Sequence, residues 1–302
     1  MPAVSGQSIT SDYVISEGNP EPYLRRIAEA GFTHIHWCHH WHTDFVYQEP
    51  EMAQIQAWFQ EFGLQLNDVH GSDGVEKAWA SSVEYQRRAG VELVKNRMEL
   101  AHRLGADVVI MHVFEPEEPE ARPRFWEQIR RTLDDLAPFA RERGVRLALE
   151  NLPRLRSDAS DPPTAQDVEY NFGALSRLFQ EYGPDYVGMC FDSGHAHIGQ
   201  DQLDQVAALA DRIIALHLHD NDGTGDQHRI PFTGTLDWER VTEIVARSPY
   251  AKPISQEVVI HHSGIQDERT FLRETLEAGK RLAEMVQEKR RQMEDGERRR
   301  GD

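Results

Sequence analysis

Two spacings of apolar residues take turns along this chain. A stretch with one apolar face at helical spacing closes on a glycine, and a short alternating or continuous apolar run of strand character follows it. Tyr23 to Ala30 with Gly31 leads into Phe32 to Cys38. Ile55 to Phe62 with Gly63 leads into Leu64 to His70, and a long helical stretch ending at Leu104 and Gly105 leads into Ala106 to His112. Phe125 to Arg143 with Gly144 precedes Val145 to Glu150, and Phe172 to Tyr182 with Gly183 precedes Tyr186 to Asp192. Leu203 to Leu209 precedes Ile213 to His219, Trp238 to Ala246 precedes Pro253 to Glu257, and Thr270 to Val286 closes the series. With Gly6 to Thr10 as a first strand and a helix opened near Pro20 and Pro22, eight strand-then-helix units result. A single-domain α/β chain folded as a (β/α)8 TIM barrel is the leading expectation, over residues 1–286. An open doubly wound sheet is the weaker alternative, because no glycine-rich dinucleotide fingerprint follows any strand.

Two segments interrupt this rhythm. Leu152 to Asp167, rich in Pro, Asp and Arg, and Asn221 to Asp237 read as long loops after the fifth and seventh strands; in a barrel both belong to the catalytic rim, as candidate covers for a substrate. The charged tail, residues 287–302, mixes both signs at helical spacing and reads as a frayed, solvated helix end.

Composition narrows the class of ligand. The 302 residues, 39% of them hydrophobic, carry a net charge of −18, the wrong sign for a protein that coats a nucleic acid. A small molecule, with a metal supplying local positive charge, fits better. Cys38 and Cys190 lie inside strand-like runs and read as buried free thiols. No apolar run long enough to span a membrane and no leader-like start are present, so the expectation is a cytoplasmic protein that does not engage a membrane; a homo-oligomer is compatible with it.

The chemistry gathers at the strand ends. His70, His112, Glu150, Asp192, His217 and Glu257 each close one of the last six strand-like runs. In a parallel barrel these ends converge on one face, where clustered carboxylates repel unless a cation holds them. His195 follows Asp192 at a strand-to-helix turn, and Asp226 with His228 forms a pair able to grip one ion. Ligation by Asp, Glu and His without thiolate suits Mn2+, Mg2+, Co2+, Fe2+ or Zn2+. His219 reads as a supporting or substrate-contacting group behind His217. The crowd His36, Trp37, His39, His40, Trp41 and His42 at the second strand's end offers rings to stack on a sugar and imidazoles for its hydroxyls, with His36 and Trp37 as the substrate-binding candidates.

Leu149-Glu150-Asn151, Phe191-Asp192-Ser193-Gly194-His195, His217-Leu218-His219-Asp220, Asp226-Gln227-His228 with Gly234, and Glu257 together resemble the xylose isomerase-like TIM barrels. That superfamily includes sugar-phosphate isomerases and epimerases, inosose dehydratases and the endonuclease IV type of AP endonuclease. Resemblance to the ketose 3-epimerase branch implies one divalent ion held by Glu150, Asp192, His217 and Glu257. There the two glutamates are also acid and base, and His195 contacts substrate. Resemblance to the endonuclease branch implies three zinc ions on His70, His112, Glu150, Asp192, His195, His217, Asp226, His228 and Glu257, so one to three ions are expected. The favoured expectation is a metal-dependent isomerase or epimerase of a sugar, sugar phosphate or cyclitol, working through an enediolate on a small carbohydrate substrate. The alternatives are a dehydratase or lyase on a keto-sugar or cyclitol and a multi-metal phosphoesterase.

Overall fold

The computed structural model describes residues 6–15, 18–113, 116, 118, 120–153, 165–198 and 202–301. Its eight strands are β1 (Gln7–Thr10), β2 (His34–Trp37), β3 (Gln65–His70), β4 (Val108–Met111), β5 (Arg146–Glu150), β6 (Val187–Asp192), β7 (Ile213–His217) and β8 (Ile254–Gln256). All pair in parallel, in the order β7-β6-β5-β4-β3-β2-β1-β8. Between β7 and β8 the ladder narrows to Leu218, whose N–H donates to Ser255 O (3.0 Å) and whose carbonyl accepts from Glu257 N–H (3.2 Å). The cylinder is nearly closed there.

Around it run α1 (Glu21–Ala30), α2 (Glu49–Phe62), α3 (Glu84–Leu104), α4 (Arg122–Arg143), α5 (Ala165–Glu181), the short α6 (Ser193–His197) and α7 (Leu203–Ala208), α8 (Trp238–Arg247) and α9 (Glu268–Gly301). Gly31, Gly63, Gly105 and Gly144 end α1 to α4 with left-handed backbone, at φ of 102°, 68°, 83° and 65°. The largest apolar cluster lies between strands and helices and includes Ile35, Trp37, Phe59, Met98, Leu133 and Phe191. A small second cluster, Val108, Ile110, Ala148, Cys190, Ile214 and Ala215, fills the barrel interior. Both cysteines are buried and free. Among the described residues no helix is long and apolar enough to cross a membrane.

Several boundaries differ from the sequence expectation. α2 starts at Glu49 rather than Ile55, because Glu51 turns back to accept the Gln48 N–H (2.6 Å) and caps the first turn. β4 stops at Met111, leaving His112 just beyond the strand. Of the loop expected over Leu152 to Asp167, residues 154–164 lie outside the described residues, Leu152 and Pro153 are loop, and Ala165 to Asp167 open α5. The charged tail does not start at an element boundary: α9 runs on to Gly301, and Arg290 is buried, donating to Val245 O (3.2 Å), Ala246 O (3.3 Å) and Tyr250 O (2.6 Å) at the end of α8.

Candidate metal centre

Strand alternation decides which side chains enter the barrel. His36 on β2, Asp68 and His70 on β3, Glu150 at the end of β5, Asp192 at the end of β6 and His217 at the end of β7 are all buried, and they meet Glu257, the residue after β8. Contacts run around the mouth in one series. His70 Nε2 stands 3.2 Å from His112 Nε2, which is 3.1 Å from Glu150 Oε2. That oxygen and Glu257 Oε2 each lie 3.1 Å from His217 Nδ1, with Asp192 Oδ2 at 4.0 Å. Glu150 and Glu257, from strands on opposite sides of the barrel, thus share one imidazole.

A second group adjoins the first. Asp192 caps α6 by accepting the His195 N–H (2.7 Å), which aims His195 Nε2 at Asp226 Oδ2 (3.4 Å). His228 Nε2 reaches the same oxygen at 2.9 Å, while its Nδ1–H donates to the Glu257 carbonyl (2.8 Å). His228 adopts φ of 44°, a left-handed backbone that a non-glycine residue holds only when its surroundings force it. Those surroundings are the bridge between Asp220 and Arg229, and the buried Asp220 carboxylate, which accepts from Leu236 N–H (3.2 Å) and the Trp238 indole (2.8 Å). Gly234 is required there, since a Cβ would lie 2.3 Å from Asp220 Oδ1. The loop from Asn221 to Asp237 is therefore pinned rather than free to act as a cover.

The charges suit a cation. Burial alone would raise Glu150 and Glu257, but the imidazoles, His217 foremost, hold both well below the usual carboxylate range. Burial, reinforced by His112, keeps His70 well below the ordinary imidazole value and so neutral. Asp226 is depressed despite its burial, chiefly by its hydrogen bonds to His195 and His228. His228 is pushed up to about 9, because Asp226 and Glu257 outweigh its burial. Both ring nitrogens of His217, Glu150 Oε1, His219 Nδ1 and His36 Nε2 are buried without a hydrogen bond. Ionised carboxylates and imidazoles fall into groups of three, such as His36, His217 and Glu257 or Asp192, His195 and His219, whose donor atoms lie within 4.8 Å of one another, a spacing that fits a divalent ion. Glu150, Asp192, His217 and Glu257 would hold a central ion, with His70 and His112 on one flank and His195, Asp226 and His228 on the other.

The remaining sequence candidates divide. His36 and His219 join the cluster but are closed to solvent, so neither presents a ring at the mouth. His219 Nε2 contacts Asp192 Oδ1 (3.1 Å), and its ring stacks on His228 at 4.2 Å. Trp37 does not belong to the site: alternation turns it outward, where its indole donates to Tyr47 Oη (2.9 Å) and its ring packs on Phe59. The cavity it borders, about 370 Å3 and also lined by Phe45, Tyr47 and Trp58, contains none of the cluster residues. Trp41 is the aromatic residue that reaches the cluster, 4.4 Å from the His70 ring and 5.1 Å from that of His112. Asp68 and the Asn151 side chain were not singled out from sequence. Asn151 clamps Asp192 by accepting its N–H (2.8 Å) and donating to its carbonyl (2.9 Å).

Comparison with known proteins agrees with the barrel fold. Residues 24–275 match the family described as xylose isomerase-like TIM barrel. The uncharacterized protein y4fM of Sinorhizobium fredii is 33% identical over 87% of this chain and 88% of its own. Fructoselysine 3-epimerase of Escherichia coli O157:H7 is 24% identical (64% of this chain, 67% of its own), and a probable endonuclease 4 of Mycobacterium ulcerans 26% (61% and 69%). A solved D-tagatose 3-epimerase-like protein superimposes with a TM-score of 0.72 at 21% identity, covering 94% of this chain and 99% of that one. The chain belongs to the xylose isomerase-like TIM barrel family.

Proposed function

We propose that this protein is a divalent-metal-dependent isomerase or epimerase acting on a sugar, sugar phosphate or cyclitol. The observation that carries the reading is the pair Glu150 and Glu257, ionised, drawn from opposite walls of the mouth and joined through His217. The epimerases among the relatives support the substrate class. A bound divalent ion supplies Lewis-acid polarisation of a carbonyl and its neighbouring hydroxyl, which acidifies the hydrogen on the carbon beside them. Glu257 is the better placed to take that proton: its side chain is 15% exposed, and its Oε1 points past the shared imidazole to stand 3.7 Å from His36 Nε2. Glu150, fully buried and held by His112, His195 and His217, faces the other side and returns a proton directly or through a water. His195, fixed by the Asp192 cap, orients a substrate hydroxyl.

Solvent deuterium should enter the carbon-bound position of a turned-over ketose. Glu257→Gln should slow that exchange at least ~100-fold while the far-ultraviolet circular dichroism is unchanged. Exchange at near wild-type rate in the variant removes the assignment of Glu257. A dehydratase would share the proton abstraction and differ in releasing water. A multi-metal phosphoesterase is the second reading, favoured by one observation: His70 with His112, and Asp226 with His228, offer more ligands than one ion uses. Metal analysis separates them, about one ion per chain supporting the isomerase and two or three the phosphoesterase.

A further inference from the structure

At the floor of the cluster the β2–β3 ladder slips. His34 pairs with Gln65 and Ile35 with Leu66, but the irregularity between Ile35 and His36 skips Asn67 and sets His36 beside Asp68. Because side chains alternate faces along a strand, this one-residue slip matters: it brings two inward-pointing residues together where a regular ladder would have offered Asn67. Asp68 Oδ1 accepts from His36 Nδ1 at 2.6 Å, and its Oδ2 accepts from Asn67 Nδ2 at 2.7 Å. With the Nδ1 proton committed to Asp68, Nε2 is the ring nitrogen that can offer a lone pair to a cation. That nitrogen is fully buried, has no hydrogen bond, and lies 3.7 Å from Glu257 Oε1. The His36 ring meets the His217 ring edge-on at 4.4 Å.

We infer that His36 is itself a metal ligand, through Nε2, in a seat shared with His217 and Glu257 and oriented from behind by Asp68. Donor atoms of the three residues lie within 4.8 Å of one another, and ligands 2.0–2.2 Å from one tetrahedral ion stand roughly 3.3–3.6 Å apart. A carboxylate holding one nitrogen while the other points at the cation is the usual way a protein fixes a ligating imidazole. Two imidazoles in the seat turn its preference towards Zn2+, Co2+ or Fe2+ and away from Mg2+. The inference rests on the cluster being a metal centre, as the proposed function also requires.

The test is imidazole-nitrogen magnetic resonance on the full chain, labelled with 15N-histidine, stripped with a chelator and titrated with Zn2+. The His36 signal is recognised by its Nδ1–H, which the bond to Asp68 protects from exchange, and by its loss in His36→Gln. Its Nε2 should move to the position of a metal-bound nitrogen as the ion is taken up. Asp68→Asn should weaken Zn2+ binding 10–100-fold in competition with a chromophoric chelator, and Mg2+ should compete poorly with Zn2+ in the wild type. Uptake of Zn2+ with an unmoved His36 signal, or wild-type affinity in a folded Asp68→Asn, overturns the inference and leaves the proposed function standing. A wild-type chain that takes up no divalent ion overturns both. Should Asp68→Asn not fold, the wild-type titration decides alone.

Discussion

Replacing Gly194 by alanine tests how tightly the cluster is built. A Cβ at Gly194 would lie 1.9 Å from His219 Cε1, 2.4 Å from Nδ1 and 2.6 Å from Nε2. Carbon atoms in contact sit about 3.5 Å apart, so the ring would have to retreat by about 1.5 Å. The backbone cannot yield instead: Ser193 Oγ donates to His219 O (2.8 Å) and accepts from His219 N–H (3.0 Å), tying α6 to the residues after β7. Retreat therefore breaks the contact to Asp192 and the stacking on His228. Overpacking costs about 1–3 kcal/mol and a lost hydrogen bond to a charged group about 1.5–3, together about 2.5–6 kcal/mol. At about 2 °C per kcal/mol for a chain of this length, the apparent Tm of the chelator-treated protein should fall by about 5–12 °C in scanning calorimetry. Gly225→Ala in the neighbouring loop, where nothing lies within 4 Å of the added carbon, serves as the control and should shift Tm by less than about 1 °C. In a His219→Ala background the Gly194→Ala cost should almost vanish, since the obstructing ring is gone. An equal cost in both backgrounds, or a loss under about 1 kcal/mol in the first, refutes the reasoning.

Two further outcomes follow from other parts of the molecule. His228, raised from 6.5 to about 9, carries a proton that a cation must displace, so ion uptake by the Asp226 and His228 pair should strengthen up to about tenfold per pH unit and level off above about pH 9. A raised imidazole stabilises the fold fully below its unfolded value and loses that contribution as pH climbs through about 9, so the Tm of the stripped protein should decline over the same window; a flat isotherm series and a flat Tm would contradict both. Arg290→Ala removes the guanidinium that donates to Ala246 O and Tyr250 O and shares Val245 O with Ser248, and should cost about 2–4 kcal/mol by thermal unfolding; a chain ending at residue 286 should lose at least as much.

The barrel and most of its site were legible because both depend on local patterns. Helices that close on Gly31, Gly63, Gly105 and Gly144 and lead into apolar runs specify parallel units. Once the strands are parallel, His70, Glu150, Asp192 and His217 have no choice but to converge. What escaped depends on relations between strands or across long separations. Asp68 looks like an ordinary strand acid until the β2–β3 slip sets it against His36, and no single strand's pattern contains that slip. Trp37 follows His36 and so must face the other way; alternation lets only one of the two enter the barrel. Gln48 is a poor capping residue by type, which hid the start of α2. Arg290 reads as one charge among many, and only the fold shows that α8 ends where its guanidinium lies.

The two residues that lie on either side of the barrel's narrowest join are also two of its proposed ligands. Among the described residues Leu218 alone bridges β7 to β8; His217 immediately precedes it, and Glu257 immediately follows the β8 residues it meets. Backbone pairing leaves this corner half-laced, and a shared ion would fasten it like a clasp. An ion held there would therefore also complete the ring, so that readiness for chemistry and integrity of the wall would become one and the same condition.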